Sequence, residues 1–204
     1  GRVGNEAGGN GLETTQLSNF TATSDNSGAK ELWRGPWAGI SRTNWILTNI
    51  DKSPKISDAK KTQYKGEAHF LRGLYYFNLV RLFGDVPWID KQQTASDDLQ
   101  VSRTSKDIVY QHIIDDFSDA ASMLPAVYEN TTDIGRATKG AAFGLLAKVY
   151  LTLKRYNETL VAIDSVMNLG VYSLNRKYEW NFSDLRENGP ESLFEVQYEK
   201  DVTA

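Results

Sequence analysis

Apolar residues recur at helical spacing over most of this chain. Between residues 31 and 50 they fall three or four positions apart, which predicts a first helix with one apolar face. That face carries Trp33, Trp37, Ile40, Asn44 and Leu47. Pro54 interrupts the pattern, and Ser57 or Asp58 is suited to cap a second helix that runs to about Phe83. Two helices joined by so short a loop are expected to form an antiparallel hairpin.

Three further helices are predicted after a polar, proline-containing connection. Thr104 to Asp107 matches a capping box, so a third helix is expected to run from there to about Leu124. Residues 136–170 then predict a helix, a tight turn near residues 154–157, and another helix that Gly170 closes. This last pair partly matches half of a tetratricopeptide repeat, through Tyr150, Tyr156 and Thr159.

The two ends of the chain have different patterns. Residues 1–30 are rich in Gly, Asn, Ser and Thr without helical or strand periodicity, and are interpreted as a polar loop that leads into a helical domain of residues 31–204. Near the other end, Phe194, Val196 and Tyr198 alternate with polar residues, which predicts a short strand. The expected fold is therefore mainly α, a tetratricopeptide-like helical-hairpin scaffold with loops and a minor edge strand.

The second helix carries polar side chains within its apolar arc. In "GEAHFLRGLYYFNLVRLFGDVPW", residues 66–88, the residues Glu67, Asn78 and Arg81 project among aromatic and aliphatic neighbours. Because an unpaired buried charge is costly, we expect each to have a partner. Folding the first two helices against each other places Asn44 opposite Glu67, and Arg81 is expected to pair with the loop around Asp85 or with the lead-in. Tyr76, Val80 and Phe83 lie on the other side, so this helix is expected to be covered on more than one face.

Composition narrows the function classes. The chain has 204 residues, a net charge of −3 and no cysteine, which argues against a nucleic-acid partner and against thiolate chemistry. It has no apolar run long enough to cross a membrane. Because it starts at Gly1 rather than at Met and stops just after a strand-like run, it is interpreted as a piece of a longer protein.

The stretch of residues 66–88 resembles the E-A-x-F-L-R-A-x-x-Y-F-x-L-V-R-x-F-G-D-V-P block of the SusD/RagB family of Bacteroidetes outer-membrane nutrient-binding proteins. "NEAGGN", "LWRGPWAGISRTNWIL", "GRATKGAAFGLLAKVYL" and "SLFEVQY" support the resemblance and occur in the family's order. Gly73, Trp37 and Trp88 depart from the usual Ala, Tyr and aliphatic residue. The chain looks like the amino-terminal half of a member.

This resemblance implies a cell-surface, outer-membrane lipoprotein without enzymatic activity. Such a protein is expected to bind glycans, or in some members peptides, and to pass them to a SusC-like TonB-dependent transporter. Its lipid-bearing Cys would lie upstream of Gly1. An intracellular tetratricopeptide-type scaffold that binds a peptide partner is the alternative from a different class.

Glycan binders stack sugar rings on exposed aromatic side chains and hydrogen-bond the hydroxyls with amides and carboxylates. The predicted ligand-binding residues are loop-borne: Trp88, Trp180, Asn5, Glu6 and Asn10. Two other tryptophans, Trp33 and Trp37, are assigned to the core, whereas Trp45 projects away from that apolar face and is either exposed or packed on a neighbouring helix.

No catalytic, metal or cofactor site is predicted. His69 and His112 are isolated in the sequence and are interpreted as surface or packing residues. The adjacent acids Asp115 and Asp116 are expected to point to different helix faces, unlike a glycosidase pair, and the same holds for Asp97 and Asp98. Calcium binding by "TASDD" or "NTTD" lacks the spacing of an EF-hand loop.

Overall fold

The computed structural model of the protein describes residues 11–97 and 99–197. Six α-helices follow one another over this part of the chain: α1 (Gly11–Ser18), α2 (Ser27–Asn49), α3 (Asp58–Phe83), α4 (Lys106–Met123), α5 (Lys139–Thr152) and α6 (Tyr156–Met167). From α2 onward, each helix packs on the helix before it and the helix after it. The mainly α prediction is confirmed, and the layout is a row of helices in which chain neighbours are also neighbours in space.

Helix α3 is the centre of the row. It contacts α2 on one side and α4 on another, and Phe70, Tyr76, Phe77 and Leu79 are fully buried between them. A Cβ at Gly73 would lie 3.1 Å from the Phe117 ring of α4, so the glycine permits this close approach of the two helices. The prediction that α3 is covered on more than one face is confirmed, because Tyr76 and Val80 are also buried.

The helix ends follow local capping chemistry. The Ser57 side chain accepts a hydrogen bond from the Lys60 N–H and caps α3, as predicted. At the other end, Gly84 adopts a positive φ of 70° that suits a residue without a Cβ, and its N–H donates to the Val80 carbonyl. Gly170 also has a positive φ, two residues after Asn168, which is the C-cap of α6.

The predicted capping box of α4 is wrong. The helix begins at Lys106 with Ser105 at the N-cap, and Ser105 makes no side-chain capping bond. Instead, Oδ1 of Asp85 accepts the Lys106 N–H at 2.8 Å from the loop after α3. Thr104 is held through its backbone, because its N–H donates to the Val86 carbonyl in an isolated antiparallel bridge.

The lead-in is more ordered than its composition predicts. Residues Gly11–Ser18 form α1, and α2 already begins at Ser27 rather than near residue 31. Asn26 connects the two helices: it caps α2 by accepting from the Ala29 N–H, and its amide donates to the Glu13 carbonyl and to Gln16. The hydrogen bonds from the Asn26 amide attach α1 to the start of α2, although α1 has no apolar pattern of its own.

The predicted edge strand does not form in the described residues. Residues 192–197 have no strand assignment, and Tyr198 lies outside the described part of the chain. A strand needs a hydrogen-bonded neighbour, and this segment instead packs through its side chains. The Phe194 ring lies 4.9 Å from that of Phe70, which attaches the segment to the core.

Candidate functional site

A segment after α6 returns across α5 and carries exposed aromatic side chains. A short 3₁₀ helix, Tyr178–Phe182, exposes 79% of Tyr178 and 74% of Phe182, and their rings meet edge to face at 5.2 Å. Trp180 lies between these two residues in sequence and is half-buried. The Arg186 guanidinium lies 3.8 Å above the Trp180 ring. Rings presented in this way are suited to stacking against a flat apolar face of a ligand.

Arg186 also lines a cavity of about 420 Å³ that we call the amide cavity. Its polar lining includes Asn175, Asn181, Arg186 and Glu191, together with Lys148, Ser192 and Glu195. The Asn175 amide donates to Oδ1 of Asn181 at 2.6 Å, and the Asn181 amide donates to Glu191 at 3.2 Å. Amides, carboxylates and cationic groups supply both donors and acceptors, which is what the hydroxyl groups of a sugar require.

Small residues of α5 make room for this cavity. Ala141 and Gly144 line it, and a Cβ at Gly144 would lie 2.5 Å from Cδ1 of Leu193, so the glycine leaves room for the Leu193 side chain of the returning segment. A backbone hydrogen bond from the Ser173 N–H to the Pro190 carbonyl joins the beginning of this segment to a later part of it. Leu74 of α3 completes the apolar floor.

Trp88 lies elsewhere, in the loop after α3. Its ring stacks on that of His112 at 4.3 Å with an interplanar angle of 11°, and the Tyr76 ring lies 4.2 Å away. It is half-buried and does not line the amide cavity. The structure therefore does not bring Trp88 and Trp180 into one site, and a ligand role for Trp88 stays a prediction.

The loop that carries Trp88 is held by buried polar groups. Nη1 of Arg72 donates to the Asp90 carbonyl, and Nδ2 of Asn44 donates to the Ile89 carbonyl at 2.8 Å. The Tyr76 hydroxyl donates to the Ile89 carbonyl and accepts the Ile89 N–H. Burial raises the pKa of the Tyr76 hydroxyl, so it stays a neutral donor.

These contacts show that the predicted pair of Asn44 and Glu67 is wrong. Oδ1 of Asn44 accepts from Arg72 at 3.0 Å, whereas Glu67 accepts two hydrogen bonds from Arg136, at 2.8 and 3.1 Å. The Tyr128 hydroxyl also donates to Glu67. Glu67 faces the loop before α5 rather than α2, so its cation comes from a part of the chain that helical periodicity does not position.

Arg81 does not pair as predicted either. Nη2 of Arg81 donates to Asn78 at 3.0 Å, and its guanidinium lies 4.4 Å over the Phe77 ring. Asp85, the expected partner, accepts from the Lys106 backbone instead. Asn78 and Arg81 thus satisfy each other on the surface of α3, where a charge does not need a buried carboxylate.

The remaining tryptophans and lead-in residues fall as follows. Trp33 and Trp37 pack against the core, as predicted, with Trp33 against Phe83 at 5.0 Å. Trp45 is 56% exposed. The predicted ligand residues Asn5, Glu6 and Asn10 lie outside the described residues.

Asp116 is buried against Arg72 and His69, while Asp115 is exposed, so the two adjacent acids do point to different environments. Within residues 11–97 and 99–197, no group of three or more His, Cys, Asp or Glu side chains is arranged to hold a metal ion. None of the helices in those ranges combines the length and the apolarity needed to cross a membrane.

Sequence reasoning selected Trp180 but missed Asn175, Asn181, Arg186 and Glu191. A usable signal was present, because residues 175–191 interleave aromatic residues with amides and charges in a segment that has no helical periodicity. What the sequence did not show is the return of this segment over α5, which brings these side chains together.

Comparison with known proteins gives a consistent family match. Residues 5–151 match the SusD-like model described as "Starch-binding associating with outer membrane". A SusD-like protein P25 of Formosa agariphila is 26% identical over 84% of this chain and 32% of its own length. The starch-binding protein SusD of Bacteroides thetaiotaomicron is 26% identical over 66% of this chain and 26% of its own length.

Solved structures agree. A SusD-like protein from Bacteroides fragilis superposes with a TM-score of 0.83 at 30% identity, covering 91% of this chain and 37% of that protein. A laminarin-binding SusD-like protein superposes with a TM-score of 0.82 at 28% identity, covering 90% of this chain and 41% of that protein. The chain spans about a third of the length of the curated relatives it matches. Apart from Lys148, the polar lining of the amide cavity lies after residue 151 and so outside the family-model match.

Proposed function

The chain belongs to the SusD-like family of starch-binding proteins associated with the outer membrane, and from that membership we propose that it binds a glycan at the amide cavity beside Trp180. The observation that carries the proposal is the juxtaposition of two features. The exposed rings of Tyr178 and Phe182 lie two residues before and after Trp180 in the chain, and Arg186 joins the Trp180 ring to a cavity lined by amides and carboxylates. One part stacks a sugar ring and the other hydrogen-bonds its hydroxyls.

Two relatives indicate which glycans to test first. One bears the name of a starch-binding protein and another that of a laminarin-binding protein. Maltoheptaose and laminarihexaose represent these two glucans and are uncharged, so their binding tests stacking and hydrogen bonding without a Coulombic contribution.

Replacing Trp180 is the direct test of the site. We expect Trp180→Ala to weaken binding of the glucan that the full-length protein prefers by about tenfold, as the loss of one stacking contact of about 1.4 kcal/mol requires. Isothermal titration calorimetry measures the affinity, and the melting temperature shows whether the variant keeps its fold.

Trp45→Ala is the matched control, since Trp45 is 56% exposed and lies on α2, away from the amide cavity. It should leave the affinity unchanged. Equal affinities for wild type and Trp180→Ala, or an equal loss in both variants, would refute the proposed site. Trp88→Ala distinguishes the second predicted platform, although loss of its packing on Tyr76 and His112 is also expected to lower stability.

The wider role is part of the same proposal. The protein acts at the cell surface as a lipid-anchored, non-catalytic binding subunit that passes glycan to a SusC-like TonB-dependent transporter, on a tetratricopeptide-like scaffold. The family's association with the outer membrane supports this role. Copurification of such a transporter with the full-length protein from outer membranes tests the partner, and release of shortened sugars from a bound glucan would contradict the non-catalytic part.

A further inference from the structure

A second recess is formed by the C-terminal ends of α3 and α5 and the N-terminal end of α4. It has a volume of about 650 Å³. Three cationic side chains, Arg81, Lys106 and Lys154, line it, together with one carboxylate, Asp107. We call it the basic recess. In a chain whose net charge is −3, three cations around one carboxylate are a local reversal of sign.

These three cations have no carboxylate partner within the described residues. Other cations of the chain do, as Arg72 has with Asp116 and Arg155 has with Glu158. Asp85, which lies nearby, accepts the backbone N–H of Lys106 rather than its ammonium group. The charge of the recess is therefore available to an anion from solution.

Arg81 is held in place without being neutralised. Its Nη2 donates to the neutral amide of Asn78 at 3.0 Å, and its guanidinium lies 4.4 Å over the Phe77 ring. These contacts leave other N–H donors of the guanidinium free. A cation that is already oriented loses less side-chain entropy when it binds an anion.

A tyrosine adds a hydroxyl to the recess. Tyr110 is 9% exposed, packs on Phe77 with ring centroids 6.4 Å apart, and lines the recess. Within the described part of the chain its hydroxyl has no hydrogen-bond partner. Burial raises the pKa of Tyr110 and the charge of Arg81 acts in the opposite direction, so the hydroxyl is a neutral donor close to the guanidinium.

The basic recess and the amide cavity lie along the same faces of α3 and α5. Leu74 lines the amide cavity and Arg81 the recess; seven residues apart, they share one face of α3 at a separation of about 10 Å. On α5, Lys148 and Thr152 are related in the same way, four residues or about 6 Å apart. An oligosaccharide a few units long is able to span such a distance.

We propose that the basic recess binds an anionic group, a carboxylate or a sulfate, carried by the glycan that occupies the amide cavity. This inference rests on the proposed function and narrows it to acidic glycans. Arg81 supplies a planar fork that suits carboxylate and sulfate oxygens, while Lys106 and Lys154 add charge.

The test compares acidic sugars with uncharged counterparts on the full-length protein. The probes are an oligogalacturonate with its methyl ester, and a sulfated laminari-oligosaccharide with its unsulfated form. We expect at least one acidic probe to bind more tightly than its counterpart, with an advantage that falls as salt is added because the recess is exposed. Calorimetry at two ionic strengths measures both effects.

The double variant Arg81→Gln/Lys154→Gln is expected to weaken the acidic probe by about tenfold and to leave its neutral counterpart unchanged. Arg42→Gln/Lys55→Gln is the control, because it removes the same charge from two exposed cations outside the recess. An equal loss of affinity in both double variants would show that the effect comes from net charge alone, and would overturn the inference.

Two further outcomes separate this inference from the proposed function. If neutral probes bind through Trp180 but no acidic probe binds more tightly than its counterpart, the recess proposal fails and the amide cavity stands. If an acidic probe binds through Arg81 while Trp180→Ala has no effect and neutral probes do not bind, the amide cavity fails, and the inference that one glycan occupies both sites fails with it. Inorganic sulfate that binds as tightly as the acidic sugar would make the recess a general anion site and would also overturn its assignment to glycans.

Discussion

The buried carboxylate of Asp116 accepts ionic hydrogen bonds from α3. Its Oδ1 accepts from Nη2 of Arg72 at 2.7 Å and lies 2.7 Å from Nδ1 of His69, while its Oδ2 accepts from Nε of Arg72 at 2.9 Å. Because Arg72 also binds the Asn44 side chain and the Asp90 carbonyl, these residues join α2, α3, α4 and the loop that carries Trp88. The charge of Arg72, within residues 66–88, therefore has a structural role.

Removing the carboxylate charge should be costly. Asp116→Asn is expected to lower the free energy of unfolding by about 3 kcal/mol, because it leaves the buried Arg72 without its ionic partner. Urea unfolding followed by circular dichroism measures the loss. Asp115→Asn removes the same charge from the adjacent, exposed residue and should change stability by less than about 0.5 kcal/mol. Similar losses in both variants would show that the ionic network contributes little.

Side-chain partners were the least predictable feature from sequence. Helical projection identified Glu67 and Arg81 as polar groups in need of contacts, and both have them. It did not identify those contacts, since Arg136 is 69 residues from Glu67 and reaches it through a loop. Periodicity orients a side chain about its own helix but does not position distant loops.

At the scale of elements, the helices themselves were predictable because their apolar spacing and stop signals are strong. The second helix was expected to end at about Phe83 and does. The failures were α1, which has no apolar pattern and is connected through Asn26, and the start of α4, which is capped by a residue from another segment. Both depend on tertiary contacts that a local pattern does not contain.

The start of α4 gives a prediction at this scale. Asp85→Ala should destabilise the protein by about 1 kcal/mol, because the Lys106 N–H loses its acceptor and the helix N-terminus loses a nearby negative charge. Thr104→Ala, which alters the residue expected from sequence to form the cap, should have a much smaller effect. Thermal unfolding of the two variants compares them, and a larger loss for Thr104→Ala would restore the capping box.

At the scale of the whole molecule, the family was identifiable from one stretch of α3, whereas the candidate site was not. That stretch, residues 66–88, forms most of the buried helix α3 and the start of the loop after it. The family match of residues 5–151 covers the row of helices through nearly all of α5. The amide cavity exists only because residues 171–195 return over α5, where Gly144 permits the approach of Leu193. Trp180 was selected from its loop composition, and its polar neighbours needed the fold.

Glycan binding beside Trp180 can be followed by fluorine NMR, because the chain has five tryptophans that can be labelled. Labelling with 5-fluorotryptophan and assignment by single Trp→Phe variants give a separate fluorine resonance for each. On titration with maltoheptaose and laminarihexaose, we expect a saturable shift of the Trp180 resonance with at least one glucan, while the resonances of the core residues Trp33 and Trp37 stay in place. Saturable binding that leaves the Trp180 resonance unmoved, or no saturable shift with either glucan, would contradict this expectation.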